Sequence, residues 1–69
     1  MCPNAALANI FDGQLHFDRD LVDEAVRALQ GWLAKGGFQP SWNESRVGGR
    51  HALTEYRGLC RVRGLDPCA

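Results

Sequence analysis

The strongest constraint on the fold is an amphipathic stretch in the middle of the chain, residues 17–37. At about 100° per residue, seven apolar side chains fall within an arc of about 140°. The polar and charged side chains outside that arc are Asp20, Asp23, Glu24, Arg27, Gln30 and Lys35. The apolar set comprises Leu21, Val22, Ala25, Val26, Leu29, Trp32 and Leu33. This separation predicts a helix that must bury one face against another part of the molecule.

Both ends of this helix carry the expected terminal residues. Asp18 or Asp20 can cap the start, because a carboxylate accepts a hydrogen bond from a backbone amide left free in the first turn. With Asp18 as the cap, Phe17 and Val22 stand at the spacing of a hydrophobic staple. The glycine pair at 36–37 supplies the positive φ at which many helices end.

The expected fold is mostly α, with two main helices over about residues 19–35 and 50–63. Gly64 stands where the second helix would end. The face of the second helix that packs on the first is predicted to hold Ala52, Leu53, Tyr56, Leu59 and Cys60. Arg63 lies beside that face and can lay its aliphatic stem across it.

Residues 3–17 fit two structures. The first is a short helix over 4–11 that Asp12-Gly13 would end, followed by an extended segment over 14–17. The second is a β-hairpin with Asp12-Gly13 as its two-residue turn. Its inward face would hold Ala8, Ile10, Leu15 and Phe17. The alanines of the segment favour the helix.

With 69 residues, the chain is expected to form a single small domain, 1–69, near the lower size limit for an independent core. The central apolar stripe exceeds what one short second helix covers well, so we expect a homodimer. No apolar run approaches the ~20 residues that cross a bilayer. The N-terminal segment lacks the basic region of a signal peptide. We therefore expect no membrane contact and a cytoplasmic location.

Charge is balanced overall but not along the chain. Residues 1–34 carry five acidic side chains and two arginines, a net charge of −3, whereas residues 35–69 carry three acidic and six basic side chains, a net charge of +3. A net charge of zero argues against a nucleic-acid binder. The asymmetry favours either a directed partner surface or attraction between the two halves in a dimer.

Three arginines lie on the outer side of the predicted second helix. The spacing i, i+4, i+7, i+11 is occupied by Arg50, Thr54, Arg57 and Arg61. It extends roughly 16 Å along the axis. We call Arg50, Arg57 and Arg61 the arginine strip. Neighbouring guanidinium groups repel each other, so the strip indicates an anionic partner, either protein carboxylates or phosphates. A solvated helix face, or pairing with the acidic first turn of the central helix, is the alternative.

The connection between the two helices, residues 38–49, carries two aromatic side chains and Arg46. Phe38 and Trp42 can fold back to cap the small core. They can also form a contact patch, because Trp and Phe anchors dominate interface energetics.

Catalysis and metal binding are not predicted. Cys2, Cys60 and Cys68 lack a metal-binding or disulfide-framework spacing and are expected to be thiols. His16 and His51 stand alone, and a chain this short has little room for a substrate cleft. We expect no enzyme activity, no cofactor and no metal.

The segment QLHF before a helix and the segment ALTEY in the second helix resemble a ribbon–helix–helix repressor. The resemblance covers about residues 14–57 and implies a paired strand from which Gln14 and His16 contact the major groove. The connection over 36–49 is longer than the turn of that family, and glycines at 48–49 replace the apolar start of its second helix.

The preferred hypothesis is a small non-enzymatic protein-binding module, acting as an inhibitor, adaptor or regulator on a partner with an acidic surface. The alternative is a small dimeric DNA-binding regulator, like a ribbon–helix–helix or helix-turn-helix protein. The predicted contact residues are Phe38, Trp42, Arg46, Arg50, Arg57 and Arg61.

Overall fold

The computed structural model describes residues 2–42 and 51–69, and within these ranges it contains three α-helices and no strand. Helix α1 spans Pro3–Leu15, α2 spans Arg19–Ala34 and α3 spans Ala52–Val62. The expected mostly helical fold class is confirmed. Within the same ranges, no helix is both long and apolar enough to cross a membrane.

Helix α2 starts and ends as its sequence predicts. The Asp18 carboxylate accepts a hydrogen bond from the Leu21 amide at 3.1 Å, which identifies Asp18 rather than Asp20 as the cap. Gly36, with φ of 85°, follows the last turn. The Trp32 ring lies across Gly37, where a Cβ atom would approach the ring carbons too closely, so this glycine is required by packing.

Helix α1 runs through Asp12-Gly13, so the hairpin alternative is wrong, and so is the expected helix end at this pair. Gly13 is buried in the helix because the following helix approaches it closely. A Cβ atom at Gly13 would lie 2.8 Å from the Val22 Cγ2 atom and 3.1 Å from the Asp18 carbonyl oxygen. Gly13 therefore permits close packing of α1 on α2 instead of ending α1.

A three-residue link joins α1 to α2, so the two helices form a helical hairpin. The contact between α1 and α2 and the smaller contact between α2 and α3 enclose a single cluster of buried side chains. The cluster consists of Ala6, Leu7, Ile10, Phe11, Val22, Ala25, Val26, Leu29, Leu33, Ala52, Tyr56 and Cys60. Helices α1 and α3 cover the buried residues of α2 within one chain, whereas Leu21 and Trp32 of the predicted stripe are half-buried. An uncovered α2 stripe is no longer a reason for a homodimer.

Polar contacts fasten α3 and the segment after it to the rest of the molecule. The Arg63 Nε atom donates to the Asp23 carboxylate at 2.8 Å, joining the end of α3 to α2. The Tyr56 hydroxyl donates to the Pro67 carbonyl at 2.8 Å, and the Gln30 amide donates to the Asp66 carbonyl at 3.1 Å. Residues after α3 are therefore held against the core.

Candidate functional site

The described part of the arginine strip is exposed. Arg57 and Arg61 lie on the side of α3 away from its buried residues. The Arg57 Nε atom donates to the Ala69 carbonyl at 3.0 Å, and neither arginine forms an ion pair within residues 2–42 and 51–69. Arg46 and Arg50 lie outside the described residues. The two described guanidinium groups thus keep their charge available to an external anion.

The two aromatic side chains of the loop have different surroundings. Trp42 is half-buried, its ring centre lies 5.3 Å from that of Tyr56, and its Nε1 atom donates to the Gln39 side chain at 2.8 Å. Phe38 is 63% exposed and touches only the edge of Trp32 among the aromatic rings of the described residues, with ring centres 5.4 Å apart. Trp42 extends the core, whereas Phe38 is available for a partner.

The ends of the three helices share one backbone motif. The last turn is followed by a residue with positive φ, whose amide donates to the carbonyl three positions back. The next amide donates to the carbonyl five positions before it. These bonds measure 2.8 to 3.3 Å. This is the Schellman motif, in which glycine is preferred because a side chain is strained at positive φ.

Two of these positions hold glycine, and the first does not. Gly36 after α2 and Gly64 after α3 have φ of 85° and 68°, whereas the equivalent residue after α1 is Phe17, with φ of 55°. Phe17 is also 91% exposed, so it does not form the hydrophobic staple expected with Val22. A bulky aromatic residue thus holds an unfavourable backbone conformation and makes almost no contact with its own chain.

Phe17 belongs to an apolar area on one face of the molecule. Leu15 at the end of α1 is 68% exposed, and Val62 at the end of α3 is 85% exposed. We call Leu15, Phe17 and Val62 the Phe17 surface. All three line an open groove of about 1030 Å³. Its other lining residues are Gly13, Gln14, Asp18, Arg19, Val22, Leu59 and Arg63.

Two polar groups shape this groove. The Gln14 side-chain oxygen is buried and has no hydrogen-bond partner within the described residues. Arg63 is fixed in place by its bond to Asp23 and by a second bond from its Nη1 atom to the Leu59 carbonyl at 2.9 Å. The hydrogen bond from Arg63 lowers the pKa of the Asp23 carboxyl group, against a smaller opposing effect of desolvation. The wall formed by the end of α3 is therefore held firmly against α2.

The prediction of contact residues omitted the whole Phe17 surface. Leu15 and Phe17 were assigned to an apolar hairpin face or a staple, since large apolar residues are usually buried. The sequence carried no signal for this surface, because it did not locate the end of α1. In the structure the three-residue link before α2 contains no glycine, and Phe17 takes a left-handed conformation there.

The described residues also bear on metal binding and on the resemblance to a ribbon–helix–helix repressor. They contain no group of three His, Cys, Asp or Glu side chains that could hold a metal ion. The strand implied by the ribbon–helix–helix resemblance is wrong, because Gln14 is helical and His16 is the residue that caps the end of α1. No family model, curated protein or solved structure matches the chain.

Proposed function

We propose that this protein is a non-enzymatic protein-binding module, and that the Phe17 surface is its main contact area. The role is that of an inhibitor, adaptor or regulator, in which the protein acts by covering or joining other proteins. Arg57 and Arg61 lie on a different side of α3 from the groove lining, and we propose that they supply charged contacts to an acidic rim of the partner. Phe38 is exposed but does not line the groove, so it lies outside this proposed contact area.

The observation that carries the proposal is the combination of strain and exposure at Phe17. A left-handed conformation costs an L-residue with a side chain about 1–2 kcal/mol. Burial of the ring would offset that cost, but the side chain is 91% exposed. Strained backbone is concentrated at functional sites, where the surrounding structure maintains it. A binding partner that covers the ring gives Phe17 the burial that its own chain does not provide.

The positions of Arg57 and Arg61 relative to Val62 indicate where charged contacts with the partner would form. Val62 and Arg61 are neighbours in α3, and their side chains diverge by about 100° around the helix axis. Arg57 precedes Arg61 by about one turn, on the same side of the helix. Arg57 lies about 140° from Val62 around the same axis, so the partner must extend around α3 from Val62 to reach both guanidinium groups. Acidic side chains at the edge of such a partner would pair with them.

A capture experiment tests this role. The immobilised protein and three variants, Phe17→Gly, Arg61→Glu and Phe38→Ala, are incubated with lysate, and the bound proteins are quantified by mass spectrometry. We expect the partner to be lost with Phe17→Gly, reduced with Arg61→Glu and nearly unchanged with Phe38→Ala. A partner retained equally by Phe17→Gly and the parent would refute the assignment of this surface.

The salt dependence of binding separates protein from DNA. Phosphate contacts make affinity fall steeply with ionic strength, whereas an apolar contact with a charged rim depends on salt only weakly. The overall charge of zero favours a protein ligand over DNA.

Three free cysteines favour the cytoplasm as the location of this protein. The same proposal includes a homodimer, whose interface is considered next.

A further inference from the structure

Building on the proposed binding role, we propose that the partner on the Phe17 surface is a second copy of this chain. The two copies are related by a two-fold axis, and Phe17 of each copy enters the groove of the other. The dimer interface is thus formed by the ends of α1 and α3 and by the start of α2. Arg57 and Arg61 of both copies stay outside it.

The shape of this face fits a two-fold contact. An isologous interface joins the same patch on both copies, so the patch must be complementary to itself. Here a protruding side chain, Phe17, stands at the edge of a recess whose apolar lining includes Val22, Leu59 and Val62. A face that carries both a projection and an apolar recess can pair with its own copy. Each ring would then leave water and contact aliphatic side chains.

The exposed apolar area matches the requirement of a stable dimer. The Phe17 surface exposes roughly 400 Å² of apolar area, since a large apolar side chain presents on the order of 150–200 Å² when free. A standard interface buries about 800 Å² on each partner, of which somewhat more than half is apolar. These three side chains therefore supply most of the apolar part of such an interface.

Charge at the edge of the groove is also compatible with self-association. Asp18 and Arg19 are adjacent, exposed and opposite in charge, and both line the groove. A two-fold axis beside them brings Asp18 of one copy towards Arg19 of the other. The chain carries no net charge, so two copies do not repel each other at long range. A strongly acidic partner is not required to neutralise this face.

The oligomeric state over a range of concentrations tests this inference. Sedimentation velocity is measured from low micromolar to millimolar protein for the parent chain, Phe17→Gly, Val62→Ser and Phe38→Ala. We expect the parent and Phe38→Ala to form a dimer as concentration rises. Phe17→Gly should weaken the dimer about 100-fold or more, because two buried rings are lost for each dimer. Val62→Ser should weaken it in the same direction.

Thermal unfolding gives a second readout with a distinct signature. The melting temperature of the parent should rise with protein concentration, because the dimer forms only from folded chains. The melting temperature of Phe17→Gly should not depend on concentration. This measurement also establishes that the variant is folded, so a loss of dimer cannot be attributed to unfolding.

The possible failures are separable from those of the proposed function. A parent chain that stays monomeric at millimolar concentration overturns the dimer, and so does a Phe17→Gly variant that dimerises as the parent does. If the parent is monomeric but Phe17→Gly still loses a captured protein, the binding role stands and the second copy is the wrong occupant. If Phe17→Gly changes neither self-association nor capture, both proposals are refuted.

Discussion

Phe17 has an effect on the isolated chain that is opposite to its proposed effect on binding. Its backbone has the left-handed conformation that Gly36 and Gly64 adopt at the equivalent positions after α2 and α3. Glycine reaches this region without strain, whereas an aromatic residue does not. The ring gains little burial in return, because it is 91% exposed. Residue preference and local backbone geometry therefore disagree at Phe17, as they also do at Cys68, where φ is 60°.

We therefore expect Phe17→Gly to stabilise the monomer. The free energy of unfolding should rise by about 1 kcal/mol, because glycine relieves the strain at positive φ. Urea unfolding at low micromolar concentration, where the chain is monomeric, measures this change. Phe38→Gly is the matched control and should not increase stability, since Phe38 does not have positive φ. A lower stability for Phe17→Gly would mean that the ring makes stabilising contacts within its own chain.

At the scale of helices, the glycines inside α1, α2 and α3 differ in their surroundings. Gly13 faces α2, and a Cβ atom there would meet the backbone of Val22 and Asp18 at 3.1 Å. Gly31 in α2 and Gly58 in α3 have open space where a Cβ atom would be placed. The first glycine is thus required by the contact between helices, whereas the other two have no packing reason within the described residues.

Replacing Gly13 or Gly31 with alanine should change the stability of the protein in opposite directions. We expect Gly13→Ala to lower the free energy of unfolding by about 1–3 kcal/mol, because backbone atoms of the α1–α2 corner must move. Gly31→Ala should raise it by about 1 kcal/mol, because alanine favours the helix and meets no obstacle. Denaturant unfolding of the parent and both variants measures these two changes. A neutral Gly13→Ala would imply a looser contact between α1 and α2.

At the scale of the whole molecule, the three cysteines report on how tightly the core is closed. Cys60 is buried in α3 beside Tyr56, whereas Cys2 and Cys68 are exposed. Desolvation raises the pKa of the Cys60 thiol, which keeps it in the unreactive protonated form. The hydroxyl group of the neighbouring Tyr56 donates a hydrogen bond to the Pro67 carbonyl at 2.8 Å. Access to Cys60 therefore requires α3 or the segment after it to separate from the core.

Thiol labelling should accordingly proceed in two phases. We expect two cysteines per chain to react rapidly with a thiol reagent at neutral pH and one to react slowly, at a rate that follows unfolding. Peptide mapping should assign the slow site to Cys60. The variant Tyr56→Phe, which lacks the hydrogen bond to Pro67, should accelerate that phase. Rapid labelling of all three cysteines would show that the core opens easily.

Periodicity and capping signals were sufficient to predict the helices in which both are clear. The apolar stripe, the Asp18 carboxylate and the glycine after the last turn locate α2, because these signals act within a few residues of each other. Local signals also favoured a helix at the N-terminus, but they could not fix its length. Asp12-Gly13 has the composition of a turn in isolation. Its helical structure depends on the surface of α2 that packs against Gly13.

Which apolar side chains stay outside the core depends on the packing of the three helices and could not be read from local sequence. Phe17, Leu15 and Val62 are ordinary core residues by type, and Trp42 looks as available as Phe38. The short link between α1 and α2 turns Phe17 outward, while the position of α3 buries one side of Trp42 and leaves Val62 exposed. Burial depends on how helices meet across long stretches of chain. Helical periodicity alone therefore could not locate the Phe17 surface.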